Sequence, residues 1–319
     1  MTNSDDPAQP AANHAPRKVF VVPHFQRSDA REVTRRAVVG LDRAGVQVQM
    51  FLQDAERIGL PQIVAVDEEH AVTDCELVMI FGGDGTILRA AELARGKNVP
   101  LMGVNLGHVG FLAEAEPDDL PSVLNAVITR QYKVEERLTI EVVVHHPDGR
   151  RDTDWALNEV CVEKAARERM IEIVLAVDDK PLSRWGCDGI VCATPTGSTA
   201  YAWSAGGPVV WPDVDALVIV PLSAHALFSR PLVVSPSSEI DVELAAESRH
   251  AVVWCDGRRL IELAPGSRVE IRRSDEPVKL GRVHPTPFSD RLVSKFALPV
   301  GGWRGRLLGE AEIVEGLLE

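Results

Sequence analysis

Residues 77–86 read LVMIFGGDGT: five apolar side chains, Leu77 to Phe81, run straight into Gly82-Gly83-Asp84-Gly85-Thr86. An unbroken apolar run, unlike an alternating one, is expected of a parallel strand covered by helices on both faces. Helical spacing resumes from Ile87 to Ala94, which places the glycine turn at the carboxyl end of a strand, where open sheets bind their ligands. Glycines let the backbone approach a ligand, and a helix start adds partial positive charge, so the turn suits a phosphate. An acid in such a turn would repel phosphate unless it binds a metal or takes a proton from an attacking hydroxyl, both of which phosphoryl transfer uses. Asp84 is therefore a candidate general base. A plain strand-to-helix turn capped by Asp84 or Thr86 accounts for the same composition equally well. The spacing fits neither GxxxxGK[ST] nor GxGxxG, which disfavours Walker and Rossmann readings.

Outward from this turn the same alternation continues. Lys18 to Pro23 is a short apolar run, Ser28 opens a helical pattern through Val33, Ala37, Val38 and Leu41 that closes at Gly45, and Val46 to Phe51 and Pro100 to Val104 read as further strands. Residues 17–137 thus predict an α/β nucleotide-binding domain built on an open, doubly wound sheet. From Leu138 the rhythm changes to strand-like segments divided by turns such as Pro147-Asp148-Gly149 and Asp178-Asp179-Lys180. Residues 138–287 predict an all-β sandwich domain. Ser289 to Ala297 reads as a helix, and residues 288–310 are expected to return to the first domain.

The composition limits the function classes. Hydrophobic residues make up 45% and charged residues 25% of 319, as in an ordinary soluble globular chain. A net charge of -13 without any long basic run argues against nucleic acid and anionic membranes as partners. Such a chain must hold an anionic substrate with local devices: backbone N–H groups, a few Arg and a divalent cation. Five scattered cysteines without a CxxC pair fit neither a disulfide framework nor a zinc site. Residues 1–16 lack a basic start and an apolar core and read as a disordered tail, and no apolar run is long enough to span a membrane. The expected location is the cytoplasm.

Further polar groups stand out against apolar surroundings. Asn158-Glu159 lies in the strand-like segment 156–163, where two adjacent polar residues need partners if buried. Ribose hydroxyls would serve both, and a strand-end turn is the alternative. Thr194 to Gly207, TPTGSTAYAWSAGG, is poor core material. It reads either as a loop against a flat base, with the Thr199 and Ser204 hydroxyls and the Ala200 backbone on the base edge and Tyr201 giving ring contact, or as a glycine-rich connection with a packed Tyr. Arg89 follows Gly85 by one helical turn and can face the same anion site. Asp256-Gly257-Arg258-Arg259 reads as a β-hairpin turn bearing surface charge.

Taken in order, Gly82-Gly83-Asp84-Gly85-Thr86, Asn105-Leu106-Gly107-His108-Val109-Gly110-Phe111-Leu112, Asn158-Glu159 and Thr194-Pro195-Thr196-Gly197-Ser198-Thr199-Ala200-Tyr201 resemble the NAD kinase family over about residues 18–305. GGDG alone is shared with diacylglycerol and sphingosine kinases; the ordered set narrows the reading. The resemblance implies transfer of the γ-phosphate of ATP, or of a polyphosphate phosphate, to the 2'-hydroxyl of the adenosine ribose of NAD. Asp84 would draw off the proton, Gly83 and Gly85 would sit by the phosphates, and Mg2+ or another divalent cation would accompany ATP, with no residue here assigned as a metal ligand. It further implies that Asn158 and Glu159 hold the nucleoside, that Phe111 lies near the adenine and that Arg169 approaches the ligand, a solvated surface Arg being the alternative. Asp188 would reach the nicotinamide side in a site completed by a neighbouring subunit, hence a homodimer or homotetramer. Other readings are a GGDG-type lipid kinase and a non-catalytic dinucleotide-binding regulator.

Overall fold

The structure is a computed structural model that describes residues 16–25, 29–107, 110–113, 117–167, 169–283 and 286–300. Nearly all of the predicted tail, the helix-opening Ser28, His108 and Val109 of the second motif, and residues 301–310 lie outside the described residues.

The first domain contains β1 (Lys18–Pro23), α1 (Ala30–Arg43), β2 (Gln47–Phe51), α2 (Leu52–Ile58), β3 (Val64–Val66), β4 (Leu77–Phe81), α3 (Asp84–Ala94), β5 (Leu101–Val104), α4 (Leu120–Thr129) and β6 (Lys133–Arg137). The run at Leu77–Phe81 is apolar throughout because both faces of β4 are covered. Leu77, Met79 and Phe81 pack with Val33, Ala37 and Leu41 of α1 and Leu120 and Val123 of α4. Val78 and Ile80 pack on the opposite face with Ile87, Leu88, Ala90 and Ala91 of α3. Full burial of each Val, Leu, Ile, Met or Phe side chain among them contributes roughly 1.5–3 kcal/mol.

The second domain comprises β7 (Ile140–His145), β8 (Arg151–Ala156), β9 (Glu159–Lys164), β10 (Ile171–Val177), β11 (Lys180–Cys187), β12 (Gly189–Ala193), α5 (Tyr201–Ser204), β13 (Leu217–Leu222), β14 (Leu232–Val234), β15 (Ile240–Leu244), β16 (Ala251–Cys255), β17 (Arg259–Leu263) and β18 (Arg268–Arg273). Two sheets, ordered β11-β10-β15-β18-β7-β8 and β14-β13-β12-β9-β16-β17, face each other. Their inner residues, among them Val142, Ile173 and Val242 from one and Val162, Ile190 and Val253 from the other, form one core, as the sandwich reading required. The five cysteines are buried and unpaired.

The predicted boundary at residue 287 needs correction. β19 (Val278–Arg282) leaves the sandwich and joins the first sheet, whose order is β3-β2-β1-β4-β5-β19-β6, before α6 (Phe288–Phe296) closes the described chain. β19 is parallel to β5 and antiparallel to β6, and its pairing with β6 begins at Val278 opposite Arg137. Residues 138–277 therefore depart and return between two neighbouring strands, so the sandwich is an insertion into a hairpin of the first sheet. No helix among the described residues is long and apolar enough to cross a membrane.

Candidate active site

In the first sheet, β1 pairs with β2 on one side and β4 on the other, both parallel. The order of connections reverses between β1 and β4, the switch point at which such sheets open a crevice beyond their carboxyl ends. Pro23 and His24 leave β1 there, and Gly82 and Gly83 leave β4. Helix α3 starts at Asp84, three residues before the predicted pattern, with Gly83 at the N-cap position and no side-chain cap bond. Asp84 thus does not cap. Its carboxylate accepts the backbone N–H of Phe111 at 3.0 Å and of Leu112 at 3.1 Å. The second motif folds over it so closely that a Cβ on Gly110 would lie 2.2 Å from Asp84 Oδ1. That contact accounts for the glycine at 110, since any side chain there would displace the carboxylate.

A cleft of about 590 Å3 opens before Asp84, lined also by His24, Gly83, Gly85, Arg89, Arg258 and Lys295. Gly83, Asp84, Gly85 and Arg89, four of the candidate residues, are brought together in it. Arg258 and Lys295, on the β16–β17 turn and α6, were not anticipated, because only the tertiary fold brings those elements to the carboxyl ends of β1 and β4. Asp84 is the one carboxylate among the described lining residues. An acidic chain has here assembled a local cationic site able to hold phosphate.

Asn158 and Glu159 sit where the predicted single strand breaks into β8 and β9. The Asp256 carboxylate makes that break, accepting N–H groups from Leu157 at 3.0 Å and Asn158 at 2.6 Å. Asp256 and Gly257 do form the β16–β17 turn, with φ of 53° and 62°. The expected surface charge is wrong for Asp256, which is buried against the Asn-Glu pair. Glu159 is only 7% exposed, and its Oε2 has no hydrogen-bond partner among the described residues. Burial, with the Asp256 carboxylate nearby, pushes the Glu159 carboxyl up to about 8. A buried acceptor without a donor is a standing cost that a ligand hydroxyl would remove.

The third and fourth motifs meet through backbone. Thr194 N–H donates to the Asn158 carbonyl at 2.9 Å, and a Cβ on Gly197 would lie 2.0 Å from that oxygen. Beyond this contact the loop turns into α5, which lies on the outer face of the sheet through Ala202, packed with Val191, Ala193 and Val218. Two further clefts flank it. One, about 540 Å3, is lined by Phe111, Thr196, Thr199, Trp211 and Phe288 with Arg137, Arg282 and Arg291. The Phe111 ring lies 5.6 Å from that of Phe288 and 5.9 Å from that of Phe296. The other, about 520 Å3, is lined by Glu163, Lys164, Asp188, Tyr201, Ser204 and Ser223. There Tyr201 donates its hydroxyl to Glu163 at 2.7 Å, and Lys164 pairs with Asp188 at 2.5 Å. The hydrogen bond from Lys164 holds the Asp188 carboxyl below the usual range. Ala200 is half-buried between the clefts. Arg169 is not brought to the site: it lies exposed between β9 and β10 and lines none of the three clefts.

Among the described residues, the acids close enough together to hold a cation by themselves are Asp179, Glu239 and Asp241 on the sandwich, outside these clefts. The Asp84 cleft offers one carboxylate, which fits the usual mode of Mg2+, bound by one or two carboxylates together with substrate phosphates.

The profile described as the ATP-NAD kinase N-terminal domain matches residues 25–132, and that of the ATP-NAD kinase C-terminal domain matches residues 157–283. NAD kinase 2 of Streptomyces avermitilis is 54% identical over 292 residues, covering 91% of this chain and 97% of its own. NAD kinase of Thermobifida fusca is 54% identical over 301 residues, covering 91% and 92%. Among solved structures, an NAD kinase from Archaeoglobus fulgidus in complex with ATP superposes with a TM-score of 0.64 at 29% identity, covering 83% of this chain and 92% of that one. Yeast NADH kinase complexed with NADH shares the fold with a TM-score of 0.83 at 23% identity, covering 90% and 89%. Both domain profiles and near-full-length relatives converge on one result: the chain belongs to the ATP-NAD kinase family.

Proposed function

We propose that this chain transfers the γ-phosphate of ATP, or a phosphate of polyphosphate, to the 2'-hydroxyl of the adenosine ribose of NAD. The observation that carries the reading is Asp84, a single carboxylate at the start of α3 in a cleft otherwise rimmed by Arg89, Arg258, Lys295 and His24. In-line attack on a phosphoryl group needs the donor's charge neutralised and the nucleophile's proton removed. The cations serve the first need and Asp84 the second. A divalent cation, when bound, adds to the neutralisation of the phosphate oxygens.

Glu159 and Asn158 hold the ribose, a ribose hydroxyl pairing with the orphaned Glu159 oxygen. Thr199, Ala200, Tyr201, Ser204 and Phe111 are assigned to the bases and Asp188 to the nicotinamide side, Phe111 and Thr199 lining one flanking cleft and Asp188, Tyr201 and Ser204 the other. The reading extends to a cytoplasmic homodimer or homotetramer. The exposed Leu182, Leu227 and Phe228 on the sandwich support a partner surface. Incubating the purified chain with NAD, Mg2+ and either ATP or polyphosphate, then measuring NADP with an NADP-specific dehydrogenase, tests function and donor together. Absence of NADP with both donors would refute it.

A further inference from the structure

Asp84 belongs to the first domain, and Asn158 and Glu159 to the second. For one ribose to meet all three, the two domains must be held at a fixed separation, yet domain interfaces move by default. The connection between them centres on Glu92, in the last turn of α3, the helix that opens with Asp84. Glu92 Oε1 accepts Arg258 Nε at 2.8 Å and Arg259 Nη1 at 2.5 Å, and Oε2 accepts Arg258 Nη2 at 3.3 Å. Arg259 also donates to Asp154 Oδ1 at 2.8 Å and approaches Asp256 Oδ2 at 3.5 Å. Asp256 in turn holds the N–H groups of Leu157 and Asn158. A polar chain therefore runs from the helix of Asp84 to the backbone of the Asn-Glu pair.

The Trp155 ring reinforces it, with the Arg95 guanidinium 4.4 Å and the Arg259 guanidinium 5.0 Å from its centroid. Arg95 itself follows α3 directly and donates to Ser274 at 2.7 Å. An exposed ion pair would contribute almost nothing. The Glu92 side chain is only 24% exposed and serves two guanidinium groups, a network rather than a pair. Glu92 lines none of the three clefts; the partners it holds are Arg258 and Arg259.

We propose that Glu92 is a positioning residue: by clamping α3 to the β16–β17 hairpin it sets the distance between Asp84 and the Asn158-Glu159 pair. This rests on the kinase reading above. Displacing reacting groups by about 1 Å can cost on the order of 100-fold in rate. Glu92→Ala in the full chain is expected to lower kcat about 10- to 100-fold while KM for NAD changes by less than about threefold. Glu92→Gln, which keeps an acceptor for one guanidinium, is expected to restore most of the lost rate. Hydrogen exchange at the amides of Leu157 and Asn158 is expected to quicken in Glu92→Ala.

Unchanged kcat with a lowered unfolding midpoint would overturn the proposal, making the cluster merely stabilising. A raised KM for NAD at constant kcat would overturn it as well. If the unaltered chain makes no NADP, the kinase reading fails instead, and the clamp is then judged by exchange alone: faster exchange in Glu92→Ala supports it and unchanged exchange refutes it.

Discussion

Asp84 and Glu159 are both acids at the site, and their surroundings give them different tasks. Asp84 accepts two backbone N–H groups at the mouth of a cationic cleft, and Asp84→Asn is expected to lower turnover about 100- to 10,000-fold. The amide turns one N–H toward a backbone donor, so unfolding should show a modest loss, about 1 kcal/mol. A variant retaining more than about a tenth of turnover would exclude Asp84 as the base. Glu159 is held near 8 by burial and by Asp256. A carboxyl raised on folding stabilises the native state fully below its unfolded pKa, near 4.5, and that stabilisation is lost as pH climbs through the folded value. Glu159→Gln removes this loss, so its midpoint relative to the unaltered chain should rise between pH 5 and pH 8; a constant difference across that window would show Glu159 to be ordinary. The placement of Asp84 beside the cleft was legible in the sequence, because an apolar run ending in glycines marks the carboxyl end of a buried strand. Asp256 was not: Asp-Gly is also the commonest way to close a tight hairpin, and nothing local tells whether the carboxylate turns outward or into the protein.

At the level of the element, short segments contribute more than their patterns suggest. Lys295 on α6 makes no hydrogen bond or ion pair among the described residues and faces the Asp84 cleft. Lys295→Ala should therefore raise KM for ATP about tenfold, the scale of one charge-assisted contact, and leave KM for NAD unchanged; steady-state titration of each substrate separates the two. The helical spacing of Phe288–Phe296 was readable, but the residue it would deliver to the cleft was not, since delivery depends on where β19 places the chain. β19 was itself misassigned to the sandwich. VKLGR is too short to carry a decisive period, and which sheet receives a five-residue strand is settled by the edge available to it. β5 and β6 leave that opening. By contrast β4 and the inner strands of the sandwich were legible, because double-sided burial and alternation each leave a distinct pattern.

For the whole molecule, insertion of the sandwich between β6 and β19 has a direct test. Arg137 and Val278 are paired neighbours, so replacing residues 138–277 by a two-residue Asn-Gly turn should leave the seven-stranded sheet able to form. Circular dichroism and a cooperative urea transition are expected for the excised chain, with NAD binding lost along with Asn158 and Glu159. A non-cooperative transition would show instead that the first domain depends on the second for its core, as the packing of Trp155 and Leu157 against the α3 cluster would allow. The two chain crossings beside one ladder also restrict how the halves can part. Once the Glu92 contacts are lost, two adjacent cords permit swinging about their common line far more readily than pulling straight apart, so in Glu92→Ala the cleft should widen like a book opened at its spine, with the residues at the page edge travelling furthest and those beside the binding scarcely stirring.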